Sequence, residues 1–129
     1  VLMKLSTNGN PVLAKYINYG GKGSTVAIHV IDNSIYIVGN MEKQKADSSD
    51  IMVLNVNEEL RALKTYTIGE SLGDFCSKST ETANGIIVSG KTYTWTLNKS
   101  STESYPVIVY WPLEFVGKIC WKTLIGNLL

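Results

Sequence analysis

Three groups of side chains in this sequence could do chemistry by type: a single histidine, two cysteines, and a run of rings and hydroxyls around position 93. His29 lies inside the apolar run Val26-Ala27-Ile28-His29-Val30-Ile31. A general base needs a positioned partner, and an imidazole in such a run is more often a packed or rim side chain, so no base role is assigned to it. Cys76 and Cys120 are 44 positions apart, with no CxxC pair and no adjacent histidine. That spacing excludes the usual zinc sets. The stretch Lys91-Thr92-Tyr93-Thr94-Trp95-Thr96 alternates hydroxyls with rings. Tyr93, Thr94 and Trp95 are therefore the candidate ligand-binding residues, suited to stacking on a sugar ring and hydrogen bonding to its hydroxyls. The plainer account of the same residues is a strand whose alternate rings pack on a neighbouring sheet.

Other features carry less. Trp111 and Trp121 read as packing residues between sheets. The charged stretch from Glu42 to Asp50 lacks the alternating oxygen ligands and central glycine of a calcium loop, and reads as a solvated loop. Asn98-Lys99-Ser100 is a glycosylation sequon in a polar segment. No GxSxG, HExxH, GxxxxGK[ST] or EF-hand pattern occurs. No catalytic residue, metal or cofactor is assigned, and a non-enzymatic protein is expected.

The composition agrees. The 129 residues fit one domain, and 44% hydrophobic with 18% charged residues supply a core. The net charge of +1 is spread along the chain, which argues against nucleic acid and anionic membranes as partners. No apolar run reaches the ~18 residues of a helical span. The chain opens on Val1 without a basic-then-apolar leader, as a processed chain or a fragment would.

The elements that position these residues come from an internal repeat. Ser34-Ile35-Tyr36-Ile37-Val38-Gly39 is echoed by Gly85-Ile86-Ile87-Val88-Ser89-Gly90, with the closing glycines 51 apart. Each run follows a turn signal, Asp32-Asn33 or Ala83-Asn84-Gly85, and a strand-like stretch, residues 25–31 or 75–82. Downstream come the strand-like residues 50–56 and 60–68 in one copy, and 107–111 and 118–125 in the other. The chain also opens on such a pair, residues 1–5 and 12–19. Lys15, Lys64 and Lys122 mark equivalent places on this reading, and the extra length of the last unit falls in its loop, residues 94–104. β-Branched and aromatic runs of this length favour strands. A competing helix over residues 57–64, capped by Asn57, is short enough to be marginal alone. Labelling the four strands of a unit a to d, the chain spells c-d, a-b-c-d, a-b-c-d: ten antiparallel strands.

Four strands per unit of about fifty residues is the arithmetic of a propeller blade. The hairpin Met3-Lys4-Leu5-Ser6-Thr7-Asn8-Gly9-Asn10-Pro11-Val12-Leu13-Ala14-Lys15-Tyr16 with Gly20-Gly21 resembles the repeat of bacterial and archaeal seven-bladed β-propeller proteins. Ser34-Ile35-Tyr36-Ile37-Val38-Gly39 and Ser49-Asp50-Ile51-Met52-Val53-Leu54 resemble the segments that complete it. The similarity covers residues 1–90 well and the rest loosely, since the Asn-Gly turn becomes Asn57-Glu58-Glu59 and then Pro112-Leu113-Glu114-Phe115. The resemblance implies an all-β, propeller-like chain of about two and a half blades, with a half blade at 1–21 and blades at 22–70 and 71–129. It implies an extracellular or cell-surface location, and a scaffold rather than a reaction.

Closed propellers need ~4 to 8 blades, so the end faces require a cover. Either these are the first blades of a longer chain, whose far end supplies strands a and b, or copies of the chain cover one another in an open head-to-tail array. Simple dimer closure fails by strand count, because a copy has no spare a-b hairpin. The strands at 107–111 and 119–125 look like apolar edges that invite pairing. With a innermost and d outermost, Cys76 and Cys120 lie roughly 14 Å apart, too far for a bridge. Free thiols are expected, Cys76 buried and Cys120 nearer the edge. The expected function is an extracellular scaffold or protein-interaction module, whose partners are copies of itself or the rest of a propeller. The alternative is a carbohydrate-binding module using the Tyr93 and Trp95 segment.

Overall fold

The computed structural model describes residues 1–18, 21–42, 49–69, 73–83, 85–95, 102–112 and 121–124. Ten strands run through them: β1 (Leu2–Leu5), β2 (Pro11–Lys15), β3 (Gly23–Ile31), β4 (Ser34–Glu42), β5 (Ser49–Val56), β6 (Ala62–Ile68), β7 (Asp74–Thr82), β8 (Gly85–Trp95), β9 (Thr102–Pro112) and β10 (Trp121–Leu124). All pairings are antiparallel between chain neighbours, giving a β1-β2 hairpin and two four-stranded meanders, β3-β4-β5-β6 and β7-β8-β9-β10. The chain is all-β, about two and a half blade-like units.

The middle sheet is apolar on both faces because its strands alternate two apolar sets. Tyr36, Val38, Ile51 and Val53 point one way and pack with Cys76, Ile86 and Val88 of the last sheet. Ile37, Met52, Leu54 and Val56 point the other way, toward Leu2, Leu13 and Ile17 of the opening hairpin. Val38, Val53, Val56, Ile86 and Val88 are completely buried. At roughly 2 kcal/mol for each such side chain, these two seams carry most of the drive to fold.

The repeat holds residue by residue at a spacing of 51. Thr25 pairs with Gly39 and Ala27 with Val38 around a bulge; Cys76 pairs with Gly90 and Lys78 with Ser89 around the same bulge. Each bulge presses a partner carbonyl onto the glycine: a Cβ at Gly39 would collide with Ser24 O, and one at Gly90 with Phe75 O. Glycine is required at both places. The β3-β4 turn has positive φ at Asp32 (47°) and Asn33 (63°), the primed two-residue hairpin that Asp and Asn tolerate.

The segment that could have been a helix is a turn, and it copies the first one. In Ser6–Asn10, Ser6 N–H donates to Asn10 O (2.9 Å), Gly9 N–H to Ser6 O (2.9 Å) and Asn10 N–H to Ser6 Oγ (3.1 Å). In residues 57–61, Asn57 N–H donates to Arg61 O (3.0 Å), Leu60 N–H to Asn57 O (3.0 Å) and Arg61 N–H to Asn57 Oδ1 (2.9 Å). The fourth residue is left-handed in both, Gly9 at φ 85° and Leu60 at φ 59°. Asn57 bonds within its own turn rather than capping a helix, so β6 starts at Ala62, not at Leu60.

The register corrects three expectations. Leu2 pairs with Lys15, and Val53 with Tyr66, so Lys15 corresponds to Tyr66; Leu13, opposite Lys4, corresponds to Lys64, opposite Asn55. Lys15, Lys64 and Lys122 are not equivalent: Lys122, opposite Val109, corresponds to Thr65, opposite Leu54, so the three lysines fall at three successive ladder places. Four residues of the last unit's extra length lie in a ladder: Glu42↔Ser49 ends β4-β5, whereas β8-β9 continues past its counterpart Tyr93↔Ser104 to Thr94↔Glu103 and Trp95↔Thr102. Residues 107–111 form no edge, since β9 has β8 on one side and β10 on the other. Pro106 and Pro112 fall outside its stretch against β10, where a missing N–H breaks no bond on that side.

Candidate functional site

Tyr93, Thr94 and Trp95 sit on β8, in the strand rather than in a loop, with Thr94 and Trp95 in the two extra ladder pairs. Four β-favouring residues in a row extend the ladder more readily than they form a loop. The Tyr93 ring stands edge-on to Phe75 of the adjacent strand, with centroids 5.8 Å apart and planes at 87°. Lys91 Nζ is 5.3 Å from the same ring centroid. The Tyr93 backbone N–H donates to Gly73 O at 2.9 Å. The ring is thus engaged by its own sheet, on strands β7 and β8. Trp111 lies on β9 and Trp121 on β10. Cys120, Asn98-Lys99-Ser100 and most of the 42–50 stretch lie outside the described residues.

Sequence reasoning paired no hydroxyl with a base, but the fold does. His29 on β3 faces β7 of the next sheet, with Nε2 2.7 Å from Ser79 Oγ and Nδ1 3.1 Å from Glu81 Oε1. The imidazole is buried and the Glu81 side chain is half exposed. Hydroxyl, imidazole and carboxylate in line have the order of an acyl-transfer relay. They also form a polar tie across an interface, which satisfies a buried imidazole at both nitrogens. The signal was absent from the sequence because the partners lie some fifty positions from His29 on a different sheet.

A second tie spans the same interface. Asn40 at the end of β4 accepts from Cys76 N–H (2.6 Å) and donates to Cys76 O (3.2 Å). Burial pushes the Cys76 thiol up from 9.0 to about 11. It is a neutral core group that donates to Lys78 O at 3.6 Å, and among the described residues it is the free cysteine. Two carboxylates converge on Gly69: a Cβ there would collide with that of Asp50 and lie 3.1 Å from Asp74 Oδ2. Both are engaged in interactions, and no group of three metal-ligating side chains forms among the described residues.

The open side of the array is at the other end. Ile28 and Val30, which flank His29 and point to the opposite face, are 51% and 65% exposed. Beside them a cavity of about 330 Å³ opens between β1 and β3, lined mainly by apolar side chains such as Leu2, Ile28, Val30 and Leu60. The hairpin is fastened to the middle sheet elsewhere, by Lys15 Nζ donating to Glu59 O at 2.7 Å. Among the described residues, β1 is paired on one side only, by β2, and the apolar trough lies beside it, a surface on which another strand can be laid. No helix among the described residues is long and apolar enough to cross a membrane. Comparison of the chain with protein-family models, with curated proteins and with solved structures found no match.

Proposed function

We propose that this chain is a run of propeller-type repeats serving as a non-enzymatic extracellular scaffold or protein-interaction module, completed by further sheet units. One observation carries the reading: the two interfaces between sheets are built from corresponding residues. Leu2 and Ile17 enter the first interface where Val53 and Ile68 enter the second, and Ile35 and Ile37 receive them where Ile86 and Val88 do. A pattern in which each sheet offers one face to the next has no internal stop, so its ends call for a cover. The Ser79, His29 and Glu81 tie takes a structural role here, since both imidazole nitrogens hold two sheets together. Sugar binding at Tyr93 gains no support from a ring already flanked by Phe75 and Lys91.

Absolute mass by light scattering after size exclusion, read together with apolar-dye binding, tests the proposal. A multimer or polymer means that copies of the chain cover the open faces. A monomer that binds dye means that another polypeptide segment does so. A monomer that binds no dye contradicts the reading.

A further inference from the structure

The two turns of like build differ at the pair of residues that decides whether a backbone nitrogen can attack a side chain. Asn8 and Gly9 stand in the first turn where Glu59 and Leu60 stand in the second. Leu60 is buried among β5 side chains, so its peptide is fixed from outside the turn. Gly9 is fixed only from within: residues 7–10 are exposed, and a Cβ on Gly9 would meet nothing within 4 Å. The Asn8 carboxamide is held over the turn, with Ser6 Oγ donating to Asn8 Oδ1 at 2.5 Å. That bond draws electron density away from Asn8 Cγ. The Gly9 N–H, one residue on, is restrained by its bond to Ser6 O at 2.9 Å.

We propose that Asn8 is a site of spontaneous deamidation, which the β1-β2 turn permits from the folded chain at a rate set by the Gly9 to Ser6 bond. When that bond opens and the Gly9 nitrogen gives its proton to base, the nitrogen attacks Asn8 Cγ. The Cγ–Nδ2 bond breaks, a proton returns to the leaving nitrogen, ammonia departs and a five-membered succinimide closes. Water opens the ring at one carbonyl or the other, giving aspartate or, with the main chain routed through the side chain, isoaspartate. Water is the only co-reactant. Local opening of an exposed turn costs far less than global unfolding, and glycine sets no Cβ against the approach. The remaining asparagines of the described residues are worse placed. Asn10 precedes Pro11, which has no N–H to lose, and Asn40 and Asn55 lie inside the β4-β5 ladder. Asn33 and Asn57 precede residues with side chains. The other Asn-Gly step begins at position 84, outside the described residues.

The two products part company in the turn. Aspartate keeps the main chain intact and sets a carboxylate where the second turn carries Glu59. Isoaspartate adds a methylene to the main chain ahead of Gly9, which puts the bonds from Gly9 N–H and Asn10 N–H to Ser6 out of register. Either product removes the formal net charge of +1.

The test incubates the whole chain in mildly alkaline buffer, native and in urea, and follows each asparagine by peptide mapping and mass spectrometry. Asn8 should convert first among the asparagines of the described residues in the native chain. It should do so about tenfold more slowly than in urea, the factor for one hydrogen bond that must open. Gly9→Ala should slow the conversion about tenfold or more in both states, because its methyl crowds the nitrogen. Asn8→Asp should melt with the fresh chain, whereas the isoaspartate fraction, separated by ion exchange, should melt lower. No conversion of Asn8 in the native chain over a time that converts it fully in urea, or earlier conversion of another described asparagine, overturns the site. Equal rates in the two states overturn the control assigned to the Gly9 to Ser6 bond.

Discussion

Asn40 and Cys76 stand on different sheets, and the carboxamide of the first closes both backbone groups of the second, at 2.6 Å to the N–H and 3.2 Å to the carbonyl. The bulge between Cys76 and Lys78 turns that peptide out of its own ladder and toward the neighbour. Asn40→Ala leaves a buried donor and acceptor unpaired and should lower stability by about 1–3 kcal/mol. Asn40→Asp keeps an acceptor for the N–H but sets a carboxylate against the carbonyl, and should not restore the loss. Urea titration of the three proteins measures both.

The two bulge glycines make a matched pair. Gly39→Ala and Gly90→Ala each drive a methyl into a backbone carbonyl that cannot swing away. Each should cost about 1–3 kcal/mol or more, and the two losses should be alike because the geometry is repeated. Thermal melts that show one substitution to be harmless would contradict the equivalence of the two hairpins.

Gly9 and Leu60 share a left-handed backbone but not a role. A Cβ on Gly9 meets nothing within 4 Å, so Gly9→Ala should cost only the conformational strain, about 1–2 kcal/mol. Leu60 accepts that strain in order to bury its side chain, which is 2% exposed among Met52, Leu54 and Val56. Leu60→Gly removes the strain of about 1–2 kcal/mol and forfeits about 2–5 kcal/mol of packing. A net loss in chemical denaturation is the expected result.

Cys76 should behave as a silent thiol. With its folded value raised to about 11 from 9.0, the unfolded chain ionises first as pH rises. Stability is therefore undiminished below about pH 9 and falls through about pH 11. Alkylation of Cys76 at neutral pH should track global opening and accelerate with urea, as peptide mapping after timed labelling would report.

His29→Ala breaks the tie to Ser79 and Glu81. Since Glu81 is half exposed and its share is screened, the loss should rest mainly on the Ser79 bond and amount to about 1–2 kcal/mol. Hydrolysis of an activated ester should be the same for the natural chain and for Ser79→Ala. A Ser79-dependent rate would turn the tie into a relay and overturn the non-enzymatic reading.

The strands were legible because their apolar alternation and turn residues are local signals, and Gly39 with Gly90 announced the period directly. Leu60 shows where local signals mislead. Glu58 and Glu59 ahead of Leu60-Arg61-Ala62-Leu63 suit a helix, yet the turn is set by an Asn57 side chain and a buried leucine whose partners come from β5. The ties at Asn40 and His29 were illegible, because each joins residues 36 to 52 positions apart and neither type repeats: Lys91 stands at the counterpart of Asn40 and Thr80 at that of His29. The open trough at Ile28 and Val30 was legible only as a count of missing strands, and its position required the register.

The 51-residue spacing holds at once through a turn, two bulged ladders and two interfaces. A crossover in the coding sequence between any two matching positions of neighbouring units would therefore add or delete one whole sheet, leaving every remaining ladder in register. Chain length in such a protein can drift in steps of one unit. What such an exchange would scramble is the pairing of His29 with Ser79 and Glu81, the polar tie particular to the interface between the middle and last sheets.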